Sequence, residues 1–294
     1  MLSCLLCRLG SMAEDSSIKN VADTALWVAT YRADESKRPD ALFHDRLAGV
    51  LAGDRGRSIA AVMPYPAIMT WILAIRTVAI DRLVLKAIEL GIDTVVNLGA
   101  GLDTRPYRME LPATLRWIEV DFPNIIAYKN EKLAGEKPVC RLERIAADLS
   151  DVQLRRNLFQ RIGSESKRAL IITEGVIYYL SVADAAALSK DLFAVPSFHF
   201  WIQDYRQNAS KQRMPEKMKR MFKDSPILFD RDDWLPFFIE HGWTIGENIL
   251  AYHESLRVNR PFPMAFPWNI VMLMTPKKVQ QKWRESSGFV LYRK

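Results

Sequence analysis

Cysteine and histidine are scarce in this chain of 294 residues, which holds three of the first and four of the second. Cys4 and Cys7 form a C-x-x-C pair near the start, but no second Cys or His pair follows at metal-ligating spacing, and Cys140 stands alone. No H-E-x-x-H sequence occurs either. These absences argue against a catalytic metal, and we expect a reducing, cytoplasmic setting.

Long apolar runs are also missing. The longest, AIMTWILAIRTVAI, is shorter than a membrane span and contains Arg76. The apolar stretch between Cys4 and Cys7 is too short for the hydrophobic region of a signal peptide. We therefore expect no membrane association, and we interpret residues 1–14 as a disordered tail, with Met12 as an alternative start.

Charge of one sign is not concentrated anywhere, although the chain is basic. Lys and Arg outnumber Asp and Glu by 41 to 34, which gives a net charge of +7. The basic residues are scattered, without a basic run interleaved with aromatic residues and without an N-P-P-Y type base-flipping motif. This disfavours a nucleic-acid partner, including an RNA methyltransferase activity, and predicts only a generally basic surface.

What the chain does have is an alternation of strand-like and helix-like segments from about Asp93 onward. Helix-competent stretches, one of them opening at Pro123, separate the strand candidates TVVNLG, RWIEVDF, ERIAADL, ALIITEGVIYYL and FHFWIQDY. The continuous apolar character of the first and fourth strands is typical of a parallel sheet covered on both faces. The pattern predicts a doubly wound α/β fold.

The last part of the chain departs from this alternation. DDWLPFFIEHGWTIGENILAY predicts a helix that stops at Gly242 and then a strand. NIVMLMTPK predicts another strand, with no long helical pattern between the two. Two final strands joined without a crossover helix imply an antiparallel pair at the sheet edge. We therefore expect a seven-stranded, mostly parallel sheet whose last strand is antiparallel.

A glycine turn follows the first strand, at Gly99-Ala100-Gly101-Leu102-Asp103. Ligands of doubly wound sheets lie at the carboxyl ends of the strands, so a ligand can lie almost against the backbone here. The third glycine of the dinucleotide signature G-x-G-x-x-G is missing, Asp103 would repel a pyrophosphate, and no G-x-x-x-x-G-K-[ST] sequence occurs. The turn therefore favours an uncharged or cationic ligand over a phosphate.

Asp121 comes 20 residues after Gly101, at the end of the next predicted strand. A carboxylate there can accept hydrogen bonds from both hydroxyls of a ribose. The alternative interpretation of Asp121 is a helix cap ahead of Pro123. A nucleoside that carries a positive sulfonium and no phosphate is S-adenosylmethionine, which the turn, the spaced carboxylate and the antiparallel final strands together favour.

Several motifs resemble those of a known family: N-L-G-A-G-L-D-T at 97–104, E-V-D-F-P at 119–123, A-D-L at 147–149 and E-G-V-I-Y-Y-L at 174–180. With T-A-L-W-V-A-T-Y-R near the start and R-T-V-A-I-D at 76–81, they resemble the leucine carboxyl methyltransferase family. That family includes protein phosphatase carboxyl methyltransferases and bacterial and fungal O-methyltransferases of polyketide-type products. The resemblance covers most of the chain and implies a class I, Rossmann-like methyltransferase fold with S-adenosyl-L-methionine as cofactor and S-adenosyl-L-homocysteine as product.

The patterns along the chain predict that the part after the tail is a single domain over residues 15–294. Residues 15–92 are expected to form a helical cover, 93–205 the cofactor-binding core, 206–230 a basic, Met-containing insert on the substrate side, and 231–294 the C-terminal strands.

Eleven positions match residues to which the family's motifs give a role at the cofactor or at the transferred methyl group: Arg32, Arg76, Gly99, Ala100, Gly101, Asp121, Phe122, Asp148, Leu149, Glu174 and Tyr179. Arg76 and Arg32 match basic residues that bind the methionine carboxylate, and Asp121 matches the ribose ligand. Asp148 matches the carboxylate that takes the exocyclic amine of the adenine, and Leu149 matches the residue that covers the ring.

The acid of the fourth predicted strand, Glu174, matches the group near the methionine ammonium and the sulfonium. Tyr179 lies in the same motif and is expected to line the methyl-transfer channel as the catalytic residue, with core packing as the alternative. Tyr178 is expected to face the opposite way if the strand continues that far.

The implied activity is O-methylation of a hydroxyl or carboxyl group of a small, natural-product-like molecule, as in secondary metabolism. The alternatives are methylation of a protein's C-terminal leucine carboxylate and an NAD-type oxidoreductase. In the protein-methylating branch an Arg follows the Asp-Leu pair, whereas Ser150 stands here, with Arg155 and Arg156 a turn or more away.

No general base can be selected from the sequence; the candidates are His199, Asp204, Tyr205, His44 and His253. Aromatic residues of the insert and of the C-terminal part of the chain could form the wall of an apolar substrate pocket, and core packing is the alternative for each of them. These residues are Phe222, Phe229, Trp234, Phe237, Phe262, Phe266 and Trp268.

Overall fold

The structure is a computed structural model, which describes residues 21–207, 215–223, 225–264, 270–271 and 274–294. The predicted tail at residues 1–14, with Cys4 and Cys7, lies outside the described residues, as do Phe266 and Trp268. Within the described part of the chain, no helix combines the length and the apolar character that a membrane crossing requires.

Seven strands form one sheet with the order β3-β2-β1-β4-β5-β7-β6. Their bounds are β1 Thr94–Leu98, β2 Arg116–Asp121, β3 Arg141–Ala146, β4 Ala169–Thr173, β5 Phe198–Arg206, β6 Thr244–Leu250 and β7 Ser287–Arg293. Strands β1 to β5 are parallel, and β7 pairs antiparallel with both β5 and β6. The predicted doubly wound, mostly parallel sheet with an antiparallel last strand is confirmed. Every residue of β1 and β4 is buried, as expected for strands covered on both faces.

Between residue 21 and the first strand, the structure describes the helices α1 Val21–Ser36, α2 Ala48–Val62 and α3 Pro66–Glu89. The predicted helical start of the chain is thus confirmed for the described residues. Helix α3 packs on one face of the sheet, where Ile75, Ile80 and Leu83 join Trp117 in a core cluster.

Further helices connect the strands and cover both faces: α4 Arg105–Arg108, α5 Pro123–Lys132, α6 Val152–Ser164, α7 Val182–Phe193, α8 Glu216–Met221, α9 Trp234–Glu240, α10 Ala251–Arg257 and α11 Lys277–Arg284. The Asp151 side chain caps α6 by accepting from the Leu154 amide at 3.0 Å. On the face opposite α3, Trp201, Phe238 and Trp243 form the aromatic centre of a second core cluster.

The predicted end of the fourth strand is wrong. Strand β4 stops at Thr173, Gly175 takes a positive φ of +67°, and Ile177–Tyr179 form a turn of 3-10 helix. The carbonyl and amide groups after Thr173 therefore leave the sheet ladder, and the alternation rule no longer applies to Tyr178. That ring packs on Trp234, with 5.0 Å between the ring centroids.

The predicted last strand, NIVMLMTPK, is also wrong. Its described residues Ile270, Val271 and Met274 are helical and exposed, and the last strand is instead β7. Met and Leu are good helix formers, so a short apolar run that contains them does not distinguish a helix from a strand. The prediction of a helix that stops at Gly242 is confirmed: α9 ends at Glu240, and Gly242 has a φ of +98°.

Candidate functional site

A cavity of about 470 Å³ opens at the carboxyl ends of β1, β2, β3 and β4, beneath α1. All eleven positions singled out in the sequence line it: Arg32, Arg76, Gly99, Ala100, Gly101, Asp121, Phe122, Asp148, Leu149, Glu174 and Tyr179. The site is therefore formed by the cover helices, by the carboxyl ends of the strands and by the turn that follows β4. Doubly wound sheets bind their ligands at this place.

The glycine turn brings bare backbone to the cavity wall. Gly99 has a φ of +65°, and a Cβ atom there would lie 2.6 Å from Cγ2 of Val176. Gly101 has a φ of +47°, and its added Cβ would lie 3.4 Å from the Cβ of Ala25 on α1. A side chain at either position would be strained by the positive φ, and one at Gly99 would also collide with Val176, so glycine allows the turn to keep this shape beside Val176 and α1.

Asp121 ends β2 with both carboxylate oxygens held by main-chain amides. Oδ2 accepts from the Gly101 amide at 2.6 Å, and Oδ1 accepts from the Phe122 amide at 2.7 Å. Burial raises the pKa of Asp121, and the two amide hydrogen bonds oppose that rise. The N-cap position of α5 is Phe122, so Asp121 does not take the helix-cap role. Each oxygen keeps a further lone pair for a hydroxyl donor.

A half-exposed rim follows β3. The Asp148 side chain is tied to its own loop, because Oδ1 accepts from the Ser150 amide at 2.9 Å. The Leu149 carbonyl accepts from Nη1 of Arg155 at 2.9 Å, and that guanidinium also donates to Asp191. Phe122, 44% exposed, faces the same end of the cavity. An exposed ring, an apolar side chain and a carboxylate are thus gathered at one rim.

At the opposite end of the cavity, Glu174 lies between two guanidinium groups. Oε1 is 2.9 Å from Nε of Arg76, and Oε2 accepts from Nη1 of Arg105 at 2.8 Å. Burial works against ionisation, but Arg105 and Arg76 outweigh it and lower the pKa of Glu174. The carboxylate is therefore ionised at neutral pH.

Arg105 was not predicted from the sequence as a site residue, yet it connects this end of the site. It is 2% exposed; Nε donates to Asp81 of α3 at 2.6 Å, and Nη1 lies 3.0 Å from Asp103. Arg108 binds the same Asp81 with Nη1 and Nη2, at 2.6 and 2.8 Å. Asp103 is buried, which opposes ionisation, but the nearby cations, Arg105 first, lower its pKa.

Asp204, near the end of β5, binds the turn that follows β4. Its Oδ1 accepts from the Gly175 amide at 2.7 Å, and its Oδ2 lies 3.5 Å from Nη1 of Arg76. Burial raises the pKa of Asp204, with Arg76 opposing the rise. The charged side chains described at this end of the site are Arg76, Arg105, Arg108, Asp81, Asp103, Glu174 and Asp204. When all of them are ionised, the carboxylates outnumber the guanidinium groups by one, and this balance suits a cationic group of a ligand.

Helix α1 is fastened over the glycine turn by Arg32. Its Nη2 donates to the Leu102 carbonyl, and its Nε lies 3.2 Å from Oδ2 of Asp45. Asp45 in turn accepts from the hydroxyl of Thr104 at 2.6 Å and from the Ala48 amide at 3.0 Å. The guanidinium retains further N–H donors beyond these two contacts.

Tyr179 lines the cavity and is hydrogen-bonded with Thr24 of α1. Burial raises its pKa, with Arg76 opposing, so the phenol stays protonated at neutral pH. Trp27 and Val28 of α1 complete an apolar wall in the same cavity. Among the described residues, the cover helix therefore contributes to this wall.

Most of the candidate bases lie away from the cavity. His44 and His253 are exposed, Nδ1 of His199 lies 2.9 Å from the Ser197 carbonyl oxygen, and the Tyr205 hydroxyl donates to Asn248 at 2.9 Å. None of these four lines it. Only Asp204 reaches the site, through Arg76 and Gly175.

The aromatic residues proposed as a pocket wall are core residues where the structure describes them. Phe229, Trp234 and Phe237 are at most 4% exposed and pack on one another, and Phe262 packs between Trp71 and Trp283. Phe222 contacts Trp27, with 6.3 Å between the ring centroids, on the outer side of that helix wall. Sequence alone cannot separate these two fates, because a core and a pocket wall have the same composition.

Asn97 of β1 supplies a polar group that a ligand could satisfy. Its Nδ2 donates to Asp103 at 2.8 Å, whereas its buried Oδ1 has no hydrogen-bond partner within the described part of the chain. Because Asn97 lines the cavity, this orphaned acceptor fits a ligand that carries an N–H or ammonium donor.

Residues 25–193 match the leucine carboxyl methyltransferase family. An inferred S-adenosyl-L-methionine-dependent methyltransferase of Parafrankia sp. (strain EAN1pec) is 32% identical over 271 residues, which cover 84% of each chain. A second inferred methyltransferase of this kind, from Rhodococcus jostii (strain RHA1), is 28% identical over 84% of this chain and 90% of its own. The crystal structure of a DUF574 family protein from Streptomyces avermitilis shares the fold, with a TM-score of 0.51 at 15% identity over 90% of this chain and 96% of that one.

Proposed function

The chain belongs to the leucine carboxyl methyltransferase family and is an S-adenosyl-L-methionine-dependent methyltransferase of the class I fold, and on that basis we propose that it methylates an oxygen atom of a small, natural-product-like molecule. The observation that carries the proposal is that all eleven residues matched by the family's motifs line the same cavity. Domain division into cover, core, insert and C-terminal strands is proposed with the boundaries given above.

The cofactor's nucleoside fits the side of the cavity formed by β2 and β3. Asp121, held by two amides, would accept from the ribose hydroxyls. Phe122 and Leu149 would enclose the adenine ring, and Asp148 would accept from its exocyclic amine.

The methionine portion fits the opposite end. Glu174 and the orphaned acceptor of Asn97 suit its ammonium group, and the remaining donors of Arg76 and Arg32 suit its carboxylate. The bare turn from Gly99 to Gly101 lets the chain between them lie against the backbone.

When bound, S-adenosyl-L-methionine supplies a methyl group on a positively charged sulfur, and in-line transfer to the acceptor oxygen leaves a neutral thioether. The protein's part is positioning and exclusion of water, which can lower a barrier by roughly 7–11 kcal/mol. Helix α1 closes the site from above with Trp27 and Val28, and Tyr179 orients the acceptor as a neutral phenol.

The acceptor's proton has no dedicated base among the cavity residues that the structure describes, because no histidine lines the cavity and Asp204 is engaged by Gly175 and Arg76. A carboxylate needs no base, and an acidic hydroxyl such as a phenol, with a pKa of about 10, can lose its proton to solvent more readily than an alcohol. We therefore propose carboxylates and phenols or enols as acceptors ahead of alcohols.

Methylation of a protein's terminal leucine is the second candidate, and one contact disfavours it. Arg155 is the basic residue nearest to Ser150 in the cavity, but its guanidinium is committed to Asp191 and to the Leu149 carbonyl. Arg156, the other basic residue close to Ser150 in the sequence, is also paired with Asp191, so among the described residues neither guanidinium near Ser150 is free of a carboxylate partner.

Calorimetry with S-adenosyl-L-methionine on the wild type and Asp121→Ala tests cofactor placement. Loss of a charged hydrogen-bond acceptor is worth about 1.5–3 kcal/mol, which predicts about ten- to hundredfold weaker binding. Asp54→Ala, at a fully exposed aspartate, is the matched control and should bind like wild type. The placement would be contradicted if the wild type bound NADH and if Asp121→Ala bound S-adenosyl-L-methionine as tightly as the wild type does.

A methyl-transfer screen over phenols, carboxylic acids, alcohols and peptides ending in leucine tests the acceptor. We expect turnover with small phenols or acids. Preferential methylation of the peptides would replace this proposal with the protein-directed one.

A further inference from the structure

Arg105 joins three elements at the methionine end of the site. Its guanidinium contacts Asp81 on α3, Asp103 on the glycine turn and Glu174 at the end of β4, at 2.6, 3.0 and 2.8 Å. The side chain itself is nearly inaccessible to solvent, at 2% exposure, and does not line the cavity. It therefore acts on a ligand only through the carboxylates that it holds.

We propose that Arg105 is a positioning residue that fixes both the orientation and the negative charge of Glu174 for the ammonium group of the cofactor. The inference rests on the placement of the methionine portion given under Proposed function.

The geometry gives Glu174 one guanidinium for each oxygen. Arg76 takes Oε1 and is itself shared with Asp204, so among the described residues Arg105 is the one cation paired with Oε2. Asp81, which also binds Arg108, keeps Arg105 from rotating away. Removal of Arg105 would leave a largely buried carboxylate oxygen without a charge partner, an arrangement that favours protonation.

Among the described residues, four charged groups face Glu174. Arg76 and Arg105, from the helices α3 and α4, lower its pKa, whereas Asp103 on the turn raises it. Asp204 on β5 is the fourth group, and it is coupled to Glu174 as a like charge. Without Arg105, one cation would face two anions, so the carboxyl group would take up a proton at a higher pH and lose its attraction for an ammonium group.

The test is the dissociation constant of S-adenosyl-L-methionine for Arg105→Gln, measured by calorimetry between pH 8 and pH 5.5. The wild type should change by less than about twofold, because Glu174 stays ionised over this range. Arg105→Gln should lose affinity progressively on acidification, approaching about tenfold per pH unit below the new pKa of Glu174. A purely structural role would weaken binding by the same factor at every pH, and that result would overturn the proposal.

Arg108→Gln is the matched control, since it removes a guanidinium from Asp81 while sparing Glu174. It should keep the flat wild-type profile. The double variant Arg105→Gln/Glu174→Gln identifies the titrating group: a flat profile supports Glu174, and a persisting slope would assign it to a neighbouring carboxyl group, Asp204 or Asp103, and overturn the proposal.

Arg105→Lys keeps a cation next to Glu174 and should show a smaller slope than Arg105→Gln. If Arg105→Gln fails to give a cooperative thermal transition, Arg105→Met, which also removes the cation, carries the same test; a flat profile with weakened binding in that folded variant would overturn the proposal. The single variant Glu174→Gln distinguishes a failure of the cofactor placement from a failure of the role proposed for Arg105. Unchanged affinity in that variant would overturn the cofactor placement, whereas weakened affinity combined with a flat Arg105→Gln profile would overturn only the role of Arg105.

Discussion

Gly99 combines a φ of +65° with a neighbour, Val176, whose Cγ2 would lie 2.6 Å from an added Cβ. A non-glycine residue in this region of backbone space costs about 1–3 kcal/mol before any crowding is counted. We expect Gly99→Ala to lower stability by at least that amount and to weaken binding of S-adenosyl-L-methionine by about tenfold or more, because the turn must shift toward the cavity. Thermal unfolding and calorimetry measure the two effects.

Gly135→Ala is the control for Gly99→Ala, since an added Cβ there meets nothing within 4 Å. It should leave both quantities unchanged. Adding Val176→Ala to Gly99→Ala should recover part of the loss by removing the crowding while leaving the backbone strain. Full affinity in Gly99→Ala would show that the turn does not lie against the cofactor.

Asp103 gives a pH dependence at the same scale. Its pKa is lowered in the folded protein, so its contribution to stability is present above the ordinary carboxyl value of about 3.9 and is lost as the pH falls below it. Asp103→Asn removes one of the three carboxylate partners of Arg105 and should cost about 1.5–3 kcal/mol at pH 7. The deficit should shrink below about pH 4.

Urea unfolding of wild type and Asp103→Asn from pH 7 to pH 3 measures that deficit. The exposed Asp54→Asn is the control, with no deficit expected at any pH. A deficit for Asp103→Asn that stays constant across the range would mean that the Asp103 charge does not stabilise the fold.

At the scale of elements, polar contacts at the site add to the apolar packing that holds α1 in place. Arg32 connects it to the Leu102 carbonyl and to Asp45, and Thr24 connects it to Tyr179. We expect Asp45→Asn to speed hydrogen exchange in α1 relative to α3, because it removes the charge partner of a buried guanidinium. S-adenosyl-L-homocysteine should slow exchange in α1. Equal exchange of α1 with and without it would show that α1 does not cover the cofactor.

How far the elements could be predicted depends on whether their signals were local. Strands β1 and β2 have local signals, a β-branched or aromatic run followed by glycine or a carboxylate, and both were found. The end of β4 was missed, because the glycine at 175 sets a turn that an apolar run does not reveal. Strand β7 was missed because SGFVLYR resembles a short tail, and only its pairing with β5 and β6 buries it.

At the scale of the whole molecule, the site residues divide in the same way. Those carried by motifs, such as Asp121 and Glu174, were assigned by resemblance and lie together in the structure. Arg105 escaped notice because its partners Asp81 and Glu174 are 24 and 69 residues away in the chain. An ion cluster assembled by tertiary packing has no spacing to recognise, so the fold has to bring its members together before it can be seen.

The last prediction follows from the sheet order and compares substitutions at two valine residues. Val290 lies in β7, inside the sheet between β5 and β6, and is fully buried, whereas Val271, in the segment first expected to be the last strand, is 45% exposed. Val290→Lys buries an unpaired charge and should cost more than about 4 kcal/mol, while Val271→Lys should stay within about 0.5 kcal/mol of wild type in urea unfolding. The reverse ranking would place NIVMLMTPK in the sheet and move β7 out of it.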